Sequence, residues 1–169
     1  ISAPASVSCN WITSTYYPDS MGLPQWVQDF NARRLPDAYL SKPWTTDSTL
    51  HYDESFADWD KYNDGDYTSL FKGKSMPYDL PAMKKAGGYG VLRFTPYGNS
   101  LTLDFAIDAV NKMQLGADDS PDFLCISFSS TDYCAHQFGI HGEEMEDTYL
   151  RLDRDIARFL NFLDNSGHM

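Results

Sequence analysis

The sequence is short of basic residues, and this shortage excludes two kinds of partner. Its 169 residues carry 13 Lys and Arg against 24 Asp and Glu, which gives a formal net charge of −11. Nucleic-acid backbones and anionic lipid surfaces are both bound through Lys and Arg side chains. We therefore expect neither a nucleic-acid-binding surface nor a surface that lies on an anionic membrane.

Cysteines and long apolar runs are scarce as well. Cys9, Cys125 and Cys134 are an odd number without CxxC spacing, which excludes zinc-ribbon and thioredoxin-like motifs. No apolar run reaches the roughly 20 residues that a membrane-spanning helix needs. The chain starts at Ile1, without an initiator Met or a signal sequence. We expect it to be an excised piece of a longer protein, in which case the missing signal does not reveal the compartment.

Core-forming residues are plentiful, since 42% of the chain is hydrophobic and 15% is aromatic. Apolar spacing predicts helices over residues 23–34, 96–113 and 142–163. The last of these has acids in its first turns and arginines further on, which suits the helix dipole. Within it, Asp147 and Arg151 have the spacing of a favourable ion pair.

Two segments have the composition of strands. Residues 122–128 form a short, nearly continuous apolar run, which is typical of a strand buried on both faces of a parallel sheet. We expect Cys125, within that run, to be a small buried side chain. Residues 10–17 are predicted to form an edge strand. A buried strand between helices indicates an α/β fold, in which chemistry gathers just beyond the carboxyl ends of the strands, here after Phe128.

An irregular stretch follows the first predicted helix. Between His51 and Leu80 there are seven acids and three lysines, a local charge of −4. We interpret it as a solvated surface loop. The alternative is a Ca²⁺ loop at residues 58–66, which lacks the closing Glu of an EF-hand. Eight aromatic side chains here could contact a substrate, but we favour a packing role for them: Trp44, Tyr52, Phe56, Trp59, Tyr62, Tyr67, Phe71 and Tyr78.

Asp132 and His136 are the candidate chemical residues. They are four positions apart, so one helical turn would point both side chains the same way. A carboxylate and an imidazole are common zinc ligands, and the hydroxyls of Ser129, Ser130 and Thr131 could hold the carboxylate. A zinc site needs three or four ligands, so the spacing alone equally fits a histidine paired with a nearby acid. We considered His141 as a third ligand and favour a solvent-facing role for it.

The pattern around these residues resembles the alkaline phosphatase superfamily. The apolar run 122–128, followed by Ser130-Thr131-Asp132, three residues, His136 and then Phe138-Gly139, is similar to the branch of type I phosphodiesterases and nucleotide pyrophosphatases, in particular to PafA-like bacterial alkaline phosphatases. Residues 12–17, 95–99 and 146–153 resemble further segments of that family in the same order.

This resemblance implies a fold and an incomplete zinc site. Residues 1–169 would be a central fragment of one alkaline-phosphatase-like domain, a mostly parallel sheet flanked by helices, with an insertion or cap at 36–95. Asp132 and His136 match two ligands of one of the family's two zinc ions. The other ligands, the Thr or Ser nucleophile and the phosphate-contacting Lys and Arg have no counterparts here, and the family's adjacent Asp-His pair is absent from the sequence.

Two hypotheses follow from the sequence. The first is a fragment of a secreted or periplasmic, zinc-dependent phosphate-ester hydrolase, incomplete in isolation, with a small phosphate ester as the parent's substrate. The second is a non-catalytic binding or accessory module that keeps part of the same fold. In either case we expect the excised sheet to leave apolar faces and strand edges that favour self-association.

Overall fold

A computed structural model describes residues 9–12, 22–52 and 68–166, and over these residues the protein is an assembly of helices. The helices are α1 (Gln25–Ala32), α2 (Leu35–Tyr39), α3 (Leu80–Gly87), a 3₁₀ helix (Gly88–Phe94), α4 (Pro96–Met113), α5 (Ser129–Phe138) and α6 (Glu143–Ser166). Helices α4, α5 and α6 pack against one another, and the 3₁₀ helix contacts α3, α4 and α5. None of the described helices combines the length and the apolarity needed to cross a bilayer.

The three helices predicted from apolar spacing are confirmed as α1, α4 and α6. Helix α1 begins one residue after Pro24, and its Val27 and Phe30 side chains are buried. The rings of Trp26 and Phe30 lie 5.0 and 5.1 Å from the ring of Phe105 on α4. These aromatic contacts dock α1 on the longer helix.

Helices α2 and α3 are absent from the sequence prediction, although each carries a start signal. Pro36 lies in the first turn of α2, where a missing backbone N–H costs nothing. Asp79 caps α3 by accepting a 3.0 Å hydrogen bond from the backbone N–H of Ala82. Both helices are short, so their apolar period is too brief to detect.

The strand predicted over residues 122–128 is not formed in this structure. The segment forms no secondary structure, Phe123 is 93% exposed, and Cys125, which was expected to be buried, is exposed too. A parallel strand is held by hydrogen bonds to neighbouring strands, and the described residues contain no strand to supply them. The expected mostly parallel sheet is therefore not formed by the described part of the chain. Residues 13–17 of the predicted edge strand lie outside the described ranges.

Aromatic side chains from distant parts of the chain build the core. Trp44, Phe71, Tyr78 and Phe138 are buried, with centroid separations of 5.1–5.8 Å between contacting rings. The packing role predicted for Trp44, Phe71 and Tyr78 is confirmed. The other aromatic candidates Phe56, Trp59, Tyr62 and Tyr67, and the alternative Ca²⁺ loop at 58–66, lie outside the described residues.

Candidate metal centre

Helix α5 separates a buried face from an exposed one. Ser130, Cys134 and Phe138, at intervals of four, are buried. The helix ends at Gly139, whose φ of 78° suits glycine and whose N–H donates to the carbonyl of Ala135 at 2.9 Å. Gln137 is buried as well, and the exposed residues of α5, which are Ser129, Asp132 and His136, lie on the opposite side.

Asp132 and His136 lie on that exposed side, one turn apart. Oδ1 of Asp132 is 3.5 Å from Nε2 of His136, and the two side chains are 74% and 53% exposed. The helical turn expected between them is thus present. Two ligand atoms bound to one tetrahedral zinc at 2.0–2.2 Å stand about 3.4 Å apart. The spacing of this pair fits two positions of such a site.

In the part of the chain that the structure describes, the remaining positions of a tetrahedral site have no candidates nearby. Within the ranges 9–12, 22–52 and 68–166, no three His, Cys, Asp or Glu side chains come close enough to hold a metal ion together. His141, considered as a third ligand, is exposed and does not complete a group with the other two. The donor set fits half of a zinc site.

The N-terminal turn of α5 rests on α4 at unusually close range. A Cβ atom on Gly98 would lie 2.0 Å from Oγ of Ser130, so only glycine allows this approach. Next to it, Nδ2 of Asn99 donates to Oγ1 of Thr131 at 3.0 Å. Two consecutive residues of α4 thus contact two consecutive residues of α5.

Two of the three hydroxyls that were expected to hold the Asp132 carboxylate have other partners. Oγ1 of Thr131 accepts from Asn99, and the hydroxyl of Ser129 lies 3.1 Å from that of Ser127. Neither bonds Asp132. Asn99 is the contact that the sequence analysis missed, because a hydrogen bond between residues 32 positions apart leaves no local pattern.

Helix α5 is also held on α6. The hydroxyl of Thr148 lies 3.6 Å from Sγ of Cys134 and donates to the carbonyl of Glu144 at 2.7 Å. Burial raises the pKa of the Cys134 thiol to about 12. Cys134 is therefore a packing residue, kept as a neutral thiol, and presents no thiolate for metal binding or nucleophilic attack.

Two acids at the start of α6, Glu144 and Asp147, are buried, although acids in the first turns of a helix ordinarily face solvent. Asp147 is fully buried and accepts from Nε1 of Trp44 and from Nε of Arg151, each at 2.7 Å, and from the Tyr52 hydroxyl. Burial, together with the bond to Asp147, raises the pKa of Tyr52 to about 12. The ion pair of Asp147 with Arg151 is as predicted, and its burial makes it structural rather than catalytic.

An apolar groove of about 520 Å³ runs beside the extended segment 122–128. Its lining includes Trp11, Leu101, Phe105 and Ile126. Trp11 stacks on Phe105 with a centroid separation of 3.9 Å. Its buried indole N–H has no acceptor among the described residues. The groove and the segment beside it share one face of the protein.

Comparison with known proteins decides the family. The model of the type I phosphodiesterase / nucleotide pyrophosphatase family matches residues 5–168. The chain belongs to this family. The resemblance to PafA-like alkaline phosphatases inferred from the pattern around Asp132 and His136 is confirmed at the level of family.

Individual relatives agree with the family assignment. The chain is 42% identical over 158 residues to "Alkaline phosphatase PafA" of Elizabethkingia meningoseptica, covering 91% of this chain and 28% of that protein. It is 47% identical over 163 residues to a Myroides odoratus protein named "Calcium-transporting ATPase", covering 93% and 28%. A crystal structure of wild-type PafA superposes with a TM-score of 0.78 at 40% identity, covering 94% of this chain and 30% of that one. The chain thus spans under a third of the relatives that it matches.

Proposed function

We propose that Asp132 and His136 are two ligands of one zinc ion in a phosphate-ester hydrolase. The observation that carries the proposal is their 3.5 Å separation on the exposed side of α5, within a chain that matches the phosphodiesterase family almost end to end. A carboxylate oxygen and an imidazole nitrogen are both ordinary zinc donors. Phosphate esters are the proposed substrate class, because a relative of this chain is named an alkaline phosphatase.

The proposed role of this chain's residues is to hold a zinc ion and to orient its two ligands. When bound, a zinc ion in such a site polarises a phosphoryl oxygen and stabilises the charge that develops on attacking or leaving oxygens. Asp132 and His136 would fix that ion from one side, while α4 and α6 keep α5 in place. The nucleophile and the remaining ligands would come from parts of the enzyme outside this chain, which covers 28% of its PafA relative. We accordingly propose that the chain alone is not catalytic.

We propose further that residues 122–128 become a strand when the rest of the enzyme is present. The segment has the apolar composition of a buried strand. It borders the groove that contains the Trp11 indole, whose N–H has no acceptor among the described residues. Without a neighbouring strand, its exposed apolar side chains favour self-association of the chain. Sedimentation velocity over a concentration series tests this, and a chain that remains monomeric at all concentrations counts against it.

We propose a secreted or periplasmic location for the enzyme, as is typical of alkaline phosphatases. The rival, a non-catalytic accessory module, is favoured only by the incomplete ligand set among the described residues. A parent sequence with a Thr or Ser nucleophile before this segment and an Asp-His pair after it supports the hydrolase. The lack of both supports the rival.

Zinc measurements test the proposal directly. In the full-length enzyme, Asp132→Ala and His136→Ala should each lower the zinc content and the phosphatase activity together. Asp153→Ala, which changes an exposed acid on α6, serves as the matched control and should change neither. Full zinc content and activity in both ligand variants would refute the assignment. The isolated chain, with two ligands, should lose its zinc on dialysis.

A further inference from the structure

The contact between Asn99 and Thr131 lies at the point where α4 supports the first turn of α5. Asn99 is 1% exposed, and its Nδ2 donates to Oγ1 of Thr131 at 3.0 Å. Immediately beside it, Gly98 and Ser130 touch so closely that a Cβ on Gly98 would lie 2.0 Å from Oγ of Ser130. Together these two pairs of residues fix both the distance and the rotation of the α5 turn against α4.

The amide of Asn99 is costly to bury in this position. Its Oδ1 atom is buried and has no hydrogen-bond partner within the described part of the chain. A buried carbonyl without a partner destabilises a protein, whereas an apolar side chain of similar size would avoid that cost. A leucine at position 99 would therefore pack between α4 and α5 at least as well as asparagine does. The directional bond to Thr131 is what only the amide provides.

From this geometry we infer that Asn99 is a positioning residue for the zinc ligands. Thr131 directly precedes Asp132, so a rotation of the first turn of α5 moves the Asp132 carboxylate with it, and His136 one turn later. The two ligands would keep their 3.5 Å separation in such a rotation, but they would no longer face the ligands contributed by the rest of the enzyme. The inference rests on the proposed function, because it presupposes that Asp132 and His136 bind zinc.

The test is a double-mutant cycle on zinc affinity in the full-length zinc enzyme. Asn99→Leu, Thr131→Val and the double variant are titrated with zinc against a chromophoric chelator, and their metal-free forms are unfolded with urea. Each single variant should weaken zinc binding by about tenfold, as the loss of a partner behind a metal ligand typically does. The double variant should be no weaker than either single variant, because both remove the same bond. The metal-free unfolding midpoint of Asn99→Leu should stay unchanged or rise.

Two matched controls separate positioning from packing. Thr131→Ser keeps the hydroxyl and should retain the zinc affinity that Thr131→Val loses, so this pair decides the question even if Asn99→Leu fails to fold. Asn111→Leu makes the same chemical change at an exposed position of α4 and should not affect zinc.

The outcomes distinguish the inference from the function on which it rests. If Asp132→Ala removes zinc while Asn99→Leu and Thr131→Val bind it normally, the positioning role is wrong and the proposed function stands. Additive losses in the double variant, or equal losses in Thr131→Ser and Thr131→Val, also contradict the inference. If Asp132→Ala leaves zinc binding intact, the proposed function fails first.

Discussion

Trp44 and Asp147 are 103 residues apart in the sequence and are joined by a buried hydrogen bond of 2.7 Å from the indole Nε1 to Oδ2. Asp147 is fully buried, and its carboxylate also accepts from the Tyr52 hydroxyl and from the guanidinium of Arg151. One side chain of α6 thus anchors two points of the stretch between residues 44 and 52. This anchoring fixes α6, which in turn supports α5 through Thr148.

Replacing Asp147 should destabilise the chain strongly. Asp147→Ala leaves the largely buried Arg151 guanidinium, the Trp44 indole N–H and the Tyr52 hydroxyl without the carboxylate that accepts from them. We expect a loss of about 3–5 kcal/mol in the free energy of unfolding. Urea denaturation followed by tryptophan fluorescence measures it. Asp153→Ala, which removes an exposed acid from the same helix, should change the free energy by less than about 0.5 kcal/mol. Similar small effects for both variants would show that the buried network contributes little.

Features that depend on local periodicity could be predicted from the sequence, and features that depend on distant partners could not. Helices α4 and α6 were predictable because their apolar side chains recur every three to four residues. The burial of Asp147 was not, since an acid in the first turns of a helix ordinarily faces solvent. Residues 122–128 have strand composition, but a strand also needs neighbours, and composition does not show whether they are present.

For the candidate site too, the local spacing was predictable from the sequence and the contacts with distant residues were not. The four-residue spacing of Asp132 and His136 predicts their shared direction, and the structure places them 3.5 Å apart. The contacts that hold the first turn of α5 against α4 were not predictable in detail. Thr131 could be singled out as a hydroxyl near the carboxylate, yet its partner Asn99 comes from another helix. Which groups would complete the proposed metal site depends on ligands that no spacing within this chain reveals.

Asp37 gives the fold a stabilising contribution that depends on pH. Its carboxylate accepts a hydrogen bond from Lys84. It also accepts from the Tyr89 hydroxyl and from Nε of Arg34, each at 2.5 Å. These hydrogen bonds hold the pKa of Asp37 well below its ordinary value. The folded pKa therefore lies below the unfolded pKa of about 3.9. The contribution is present above that value and is lost as the pH falls towards the folded pKa.

The comparison to make is between the wild-type chain and Asp37→Asn. Since the group is partly exposed, we expect the variant to be less stable by about 1 kcal/mol near neutral pH. The difference should shrink steadily below about pH 4. Urea unfolding at about pH 7, 5 and 3 measures it. A difference that stays constant or grows on acidification contradicts the assigned pKa direction.

The three thiols should differ sharply in reactivity. Cys125 is exposed, whereas Cys9 and Cys134 are buried, and burial raises the pKa of Cys9 to about 11. The thiolate is the reactive form of cysteine. A chromogenic disulfide reagent should therefore modify Cys125 of the folded chain at least about ten times faster than Cys9 or Cys134. Cys125→Ser should remove the fast phase, and Cys134→Ser should leave it unchanged. In the full-length protein we expect the Cys125 thiol to be protected, because the proposed strand would be covered there. Fast labelling of Cys125 in that protein would argue against the proposed strand.

The close approach of α4 and α5 makes Gly98 the most sensitive glycine of the site. A methyl group there would lie 2.0 Å from Oγ of Ser130 and 3.1 Å from the carbonyl oxygen of Leu92, so Gly98→Ala should cost about 1–3 kcal/mol of unfolding free energy. Adding Ser130→Ala removes the shortest contact and should restore part of that loss. The recovery should be incomplete, because the Leu92 carbonyl oxygen and the Cβ of residue 130, at 3.2 Å, remain close. Gly90→Ala is the matched control, because a methyl group at that position would have no neighbour within 4 Å and the stability should not fall. Equal losses in Gly98→Ala with and without Ser130→Ala would show that the strain comes from the Leu92 carbonyl oxygen and the Cβ of residue 130, 3.1 and 3.2 Å from the new methyl group, and not from Oγ of Ser130.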